Sequence, residues 1–345
     1  MDIEVLKIVV ALAPVSVCLA AFVLLDVFKL MSLKEIGALL AGGAVLAAAS
    51  YLANWRAMDE LPIGFTDYSR WIAPVVEETL KGLLIVGLFA FNRIGYLVDA
   101  AIAGFAVGAG FSLAENLFYL HGFIGANLGV WLVRGFGTGV MHGGATAILA
   151  ASAQALFAGR LRVAATGFRL NPLLFLPGLA GAIALHAAFN HFPNEPVAAM
   201  AVVLLAVPLT LFALFALGER RAHAWLAEDR AAHVRLLDDI RSGAFAGSEG
   251  GRALRQLGER LGEAGAKDLD DYVRLNVELV VRAEGTLIAH QEHEQVALPP
   301  DVREAFQRLH ALEKRLGRAV ALAVRTHLKF SRNDLWEMHE LEEDT

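Results

Sequence analysis

The sequence predicts an all-α protein, a polytopic membrane bundle of about seven transmembrane helices carrying a soluble helical domain at its C-terminus. Three observations lead there. The 345-residue chain is 56% hydrophobic, with a mean hydropathy of +0.51, too apolar for an ordinary soluble protein. Charge is unevenly spread, with 23 of the 66 Asp, Glu, Lys and Arg residues in 1–218 and 43 in 219–345. The apolar residues also gather in runs of about 20, the length that carries a helix across hydrocarbon at about 1.5 Å per residue.

Seven runs qualify, at approximately 5–25, 36–54, 71–91, 97–119, 130–157, 173–191 and 197–217. Each is read as a helix because an unpaired backbone amide is intolerable in lipid. The N-terminus, Met-Asp-Ile-Glu-Val-Leu-Lys, lacks the basic stretch of a secretory signal, so the first run is expected to be a retained helix. Lys and Arg resist translocation and set the orientation. Lys29 and Lys34, then Arg93, then Arg160, Arg162 and Arg169, and finally Arg220 and Arg221 fall on one side. In the second loop Arg56 and Arg70 are offset by Asp59, Glu60 and Asp67. The expected arrangement has the N-terminus outside and the C-terminus in the cytoplasm.

Two domains are therefore expected, a transmembrane domain over 1–218 and a cytoplasmic helical domain over 219–345. In the latter, apolar residues recur at helical spacing in Ala222 to Ile240, Leu269 to Ile288 and Val302 to Leu328, with breaks at Ser242 to Gly251 and at Pro299-Pro300. Such a bundle offers a surface for a protein partner. A net charge of -6 supplies no basic stripe, which argues against nucleic acid. Cys18, the only cysteine, cannot form an intrachain disulfide.

Ionisable groups inside a membrane cost on the order of 2.5–3.5 kcal/mol each on insertion scales, so each needs an explanation. The third span reads Pro74-Val75-Val76-Glu77-Glu78-Thr79-Leu80-Lys81, the fourth ends Phe111-Ser112-Leu113-Ala114-Glu115-Asn116, the fifth holds His142, and the sixth holds His186 and Asn190. Lys81 lies four residues after Glu77 and three after Glu78, so it can compensate one carboxylate and leave the other available. His186 and Asn190 share a helix face. In the orientation above, Glu77 lies about 9 Å inside Trp71, with Glu115 and His186 about 6–8 Å from their outer ends. His142 reaches a similar level if its helix enters the hydrocarbon after Arg134, whose charge prefers the interface. The bilayer is the solvent of all four spans. Gly104 and Gly108, and Gly135, Gly139 and Gly143, form small-residue stripes that permit close packing beside these groups.

Blander readings compete. Glu78 and Lys81 form a structural ion pair on one of them. Pro74 is tolerated near a helix start. His121, His191 and Asp99, at helix ends, are expected to be solvated, and His290-x-x-His293 with Glu294 to be an exposed polar face.

The Glu77-Glu78-x-x-Lys81 pair, the Phe-Ser-Leu-Ala-Glu115-Asn116 segment, His142 and His186-x-x-x-Asn190 resemble the PrsW family of intramembrane proteases, over about residues 60–195. The resemblance extends more distantly to the CAAX-processing and bacteriocin-immunity membrane proteases. It implies a peptidase of the bacterial cytoplasmic membrane that cuts a membrane-protein substrate, such as an anti-sigma factor, near the extracytoplasmic face. One of Glu77 and Glu78 would activate water, with Lys81 holding its partner. Glu115, His142 and His186 complete the site and match the ligand set of a catalytic Zn2+, with a fourth position left for water. Without metal, the histidines and Asn116 or Asn190 would hold the developing oxyanion. The rival from another class is a proton-coupled transporter or channel built on the same Glu/His cluster.

Overall fold

The computed structural model describes residues 2–25, 31–158, 171–192, 195–291 and 301–343. It is 91% helical with no strands among the described residues. In chain order the α-helices are α1 (Ile3–Leu25), α2 (Leu33–Glu60), α3 (Phe65–Asp67), α4 (Ala73–Ala90), α5 (Leu97–Phe123), α6 (Leu128–Leu132), α7 (Val140–Ala158), α8 (Leu176–Asn190), α9 (Pro196–Ser242), α10 (Glu249–Gln291), α11 (Asp301–Leu316), α12 (Arg318–His327) and α13 (Arg332–Glu343). Two π-helical segments, Tyr68–Ile72 and Val133–Gly139, run directly into α4 and α7. By compactness the chain divides into a unit comprising 1–159 and 171–219 and a unit that includes 220–345.

Six helices are long and apolar enough to cross a membrane: Ile3–Leu24, Leu33–Glu60, Leu97–Phe123, Leu128–Phe157, Pro172–Asn190 and Pro196–Ala216. The chain is thus a multi-pass membrane protein. The seventh expected span, 71–91, is helical as α4 but is not among the six, because it carries Glu77, Glu78 and Lys81. All three side chains are buried, so this helix turns its charge toward protein and away from lipid. Of the cationic residues that set the expected orientation, Lys29, Arg160, Arg162 and Arg169 lie outside the described residues, as do Pro299-Pro300 and the His293-Glu294 pair.

At the centre of the first unit lies α5, buried without interruption from Val98 to Ser112, as befits a helix that is apolar all round. Glycine makes the enclosure close. A Cβ on Gly104 or Gly108 would fall on the backbone of Thr146 or His142 in α7, one on Gly43 on the backbone of Val107, and one on Gly110 on the backbone of Leu40. The stripe marked in the sequence at Gly104 and Gly108 is therefore a seam of backbone contact. The α1 helix faces the bundle with Ala11, Val15, Leu19 and Phe22, and Gly135 meets the backbone of Val10.

Gly108→Val should force α5 away from the His142 carbonyl. Overpacking of this kind costs about 1–3 kcal/mol, and here the obstruction is backbone. We expect a lowered Tm in detergent together with lost activity, because His142 is displaced. Gly87→Val, at a position with nothing within 4 Å, should leave the Tm unchanged in the same melting experiment.

The second unit builds its core from Leu237, Tyr272, Val277, Phe306, Leu312 and Phe330. Its helices differ from the expected spans in two places. Gly317, at φ 83°, divides the expected Val302–Leu328 helix into α11 and α12. Gly262, at φ 75°, bends α10, which begins at Glu249 and so reaches back beyond the expected Leu269. Both conformations lie in the region that favours glycine.

Candidate active site

The helices that carry Glu77, Glu78 and His142, α4 and α7, each start from a π turn. The wider turn before α4 closes with the Ala73 N–H donating to the Tyr68 carbonyl, and Pro74 follows near the start of α4, where its missing N–H is tolerated. Segments of this kind shift the angular register of the helix that follows, and they recur at functional sites. Here they set how Glu77, Glu78 and His142 face the bundle.

Of the two glutamates, it is Glu78 that Lys81 pairs with. Its ammonium donates to Glu78 Oε1 at 2.6 Å, with both side chains fully buried, and lies 4.4 Å from the centre of the Phe111 ring. The same Glu78 oxygen is 2.8 Å from His186 Nδ1. Lys81 Nζ also approaches His142 Nδ1 at 2.9 Å. Glu78 is thus taken up by an ammonium and an imidazole. Glu77 instead faces Asn54, whose Nδ2 donates to Glu77 Oε1 at 3.1 Å, and Asn54 Oδ1 accepts from the Tyr68 hydroxyl at 2.9 Å.

The two imidazoles stand almost perpendicular, 85° apart with centroids separated by 4.7 Å. With both Nδ1 atoms engaged, their Nε2 atoms face carboxylates. His186 Nε2 is 4.0 Å from Glu77 Oε2, and His142 Nε2 is 3.3 Å from Glu115 Oε2. Glu115 is held in turn by Arg134 at 3.1 Å, whose guanidinium lies 3.8 Å from the centre of the Tyr119 ring. Donor atoms of Glu77, His142 and His186 all fall within 4.8 Å of one another. The expected carboxylate ligand was Glu115, but it is Glu77 that joins the two histidines in this group.

The asparagines take other positions. Asn116 Nδ2 donates to the Ala11 carbonyl at 2.8 Å, and Asn116 Oδ1 accepts from Arg134 Nε at 2.9 Å, tying α1 and the π segment before α7 to α5. Asn190 Nδ2 donates to the Ser69 carbonyl at 2.9 Å, joining the end of α8 to the π segment before α4. Asp99, expected to be solvated, is buried and accepts from the Tyr96 N–H at 2.9 Å as a helix cap. His191 packs its ring 4.4 Å from that of Trp71. His121 is exposed.

Sequence reasoning left Asn54, Tyr68 and Arg134 out of the site. Asn54 is a lone amide in the last turns of an apolar run, and Arg134 is a cation with no acid in its own loop. Those were the available signals, yet neither shows which distant side chain it meets.

Carboxylates, imidazoles and an ammonium buried together inside a multi-pass helical bundle define a membrane-embedded centre able to hold a metal or move protons. Residues 32–217, more than half of the chain, match the model of the PrsW family of intramembrane metalloproteases. The chain belongs to that family and is a membrane peptidase, not the transporter of the rival reading. No curated protein and no solved structure matches it significantly.

Proposed function

We propose that this peptidase hydrolyses a peptide bond of a membrane-protein substrate at a centre made by Glu77, His142 and His186, near the non-cytoplasmic face. The observation that carries the reading is the convergence of those three donors within 4.8 Å, while Glu78 is taken up by Lys81 and His186. Glu78 accepts the Nδ1 proton of His186, which leaves Nε2 unprotonated and aimed into the site. Asn54, braced by Tyr68, orients Glu77. Glu115, held by Arg134 beside His142, is placed to accept the proton that an attacking water gives up.

Two imidazoles and one carboxylate are the donor set of a catalytic zinc, and their spacing fits one. Glu77, His142 and His186 would hold it. When bound, such an ion polarises the scissile carbonyl and activates water. The pattern of Lys and Arg supports an N-terminus outside and a C-terminus in the bacterial cytoplasm, which puts these groups under the outer face. The resemblance points to a substrate such as an anti-sigma factor.

One observation favours a metal-free variant. Lys81 donates to His142 Nδ1, which leaves the ring proton on Nε2, directed at Glu115. In that tautomer His142 donates to a developing oxyanion, and Glu77 serves as the base. Metal analysis separates the two readings. Dialysis of the detergent-purified protein against EDTA should abolish cleavage, and stoichiometric Zn2+ should restore it. Full cleavage by protein stripped of metal would overturn the metal-dependent reading in favour of the variant.

A further inference from the structure

Within the second unit, four ionisable side chains from three helices converge. Asp229 and His233 lie one turn apart on α9 and so share a face, Glu284 comes from α10, and Asp334 from the first turn of α13. His233 Nδ1 is 2.6 Å from Glu284 Oε1, and His233 Nε2 is 3.7 Å from Asp334 Oδ2. One donor atom from each of the four lies within 4.8 Å of all the others. His233, Glu284 and Asp334 are 6%, 0% and 1% exposed.

Part of this has a structural explanation. Asp334 caps α13, accepting from the Ser331 N–H and hydroxyl at 2.6 and 2.7 Å, and His233 with Glu284 makes a charge-assisted hydrogen bond. Two facts are left over. Glu284 Oε2 is buried with no hydrogen-bond partner among the described residues, a costly state for a carboxylate oxygen. And three carboxylates share one imidazole, an excess of negative charge even with the Arg230 guanidinium acting on Glu284.

We propose that Asp229, His233, Glu284 and Asp334 form a second metal site, one for a divalent transition ion of the zinc or manganese class, outside the matched family region. One imidazole with three carboxylates suits these ions, since the nitrogen donor disfavours calcium and magnesium. Four protein donors leave a tetrahedral ion no open position, so the role is structural. The ion joins α9, α10 and α13 and neutralises the orphaned carboxylate oxygen.

The test is Zn2+ stoichiometry of the full chain after chelator stripping, reloading and gel filtration, read beside thermal unfolding with and without Zn2+. His233→Ala should retain one equivalent less than wild type and lose the part of the Zn2+-dependent rise in Tm that this site contributes. Asp229→Asn should do the same, and it keeps the proposal falsifiable if His233→Ala misfolds, because Asp229 is only half-buried. Glu77→Gln, which touches the membrane-embedded centre, should keep the Zn2+-dependent rise that these two lose. Stoichiometry and Tm response unchanged in a folded Asp229→Asn protein would overturn the proposal.

Discussion

Glu77→Gln is expected to lower the rate of substrate cleavage by about 10²–10⁴-fold, the range contributed by a positioned acid–base group, with little change in thermal stability. The reason lies in what each end of Glu77 touches. Its Oε1 accepts from the neutral Asn54 amide, a bond that a glutamine oxygen can keep. Its Oε2 faces His186 across 4.0 Å, where an amide is a poor base and a poor metal ligand. Cleavage rates and detergent melting curves on the same preparation separate the two effects. A fast Glu77→Gln enzyme would remove Glu77 from the chemistry.

Glu78→Gln should behave differently, with a large loss of stability as well as activity. It strips the carboxylate from a fully buried ammonium, and breaking a buried pair from one side costs about 3–5 kcal/mol. It also weakens the acceptor for His186 Nδ1. Adding Lys81→Met should recover much of the stability, because no uncompensated charge remains, but none of the activity. Melting the single and double variants checks this. A Glu78→Gln protein as stable as wild type would show that Lys81 does not depend on Glu78.

The contrast between neighbouring glutamates shows where sequence reasoning stopped. Spacing let Lys81 reach either carboxylate, since three and four residues both bring side chains together on a helix. The choice depends on His186, 108 residues further on, which also claims Glu78. The spans were legible because lipid imposes a length and a polarity on them, and α4 alone departed, through the charges that mark the site. The π turns were not legible, since nothing local distinguishes them from ordinary helix. They set the facing of His142 and Glu77. Asn116 and Asn190 looked like oxyanion donors by type and spacing, yet their amides brace backbone carbonyls, a use that only tertiary approach reveals. In the second unit, Gly317 looked like a residue within one continuous helix, and its positive φ shows only in the fold.

The most direct measurement of the central claim is a map of new N-termini on membrane proteins, in membranes carrying wild-type chain or the His186→Ala variant. If Glu77, His142 and His186 form one hydrolytic centre, cut sites will appear close to the outer boundary of a membrane-spanning segment with wild type and vanish with the variant. Identical cut sites with both chains would contradict the account.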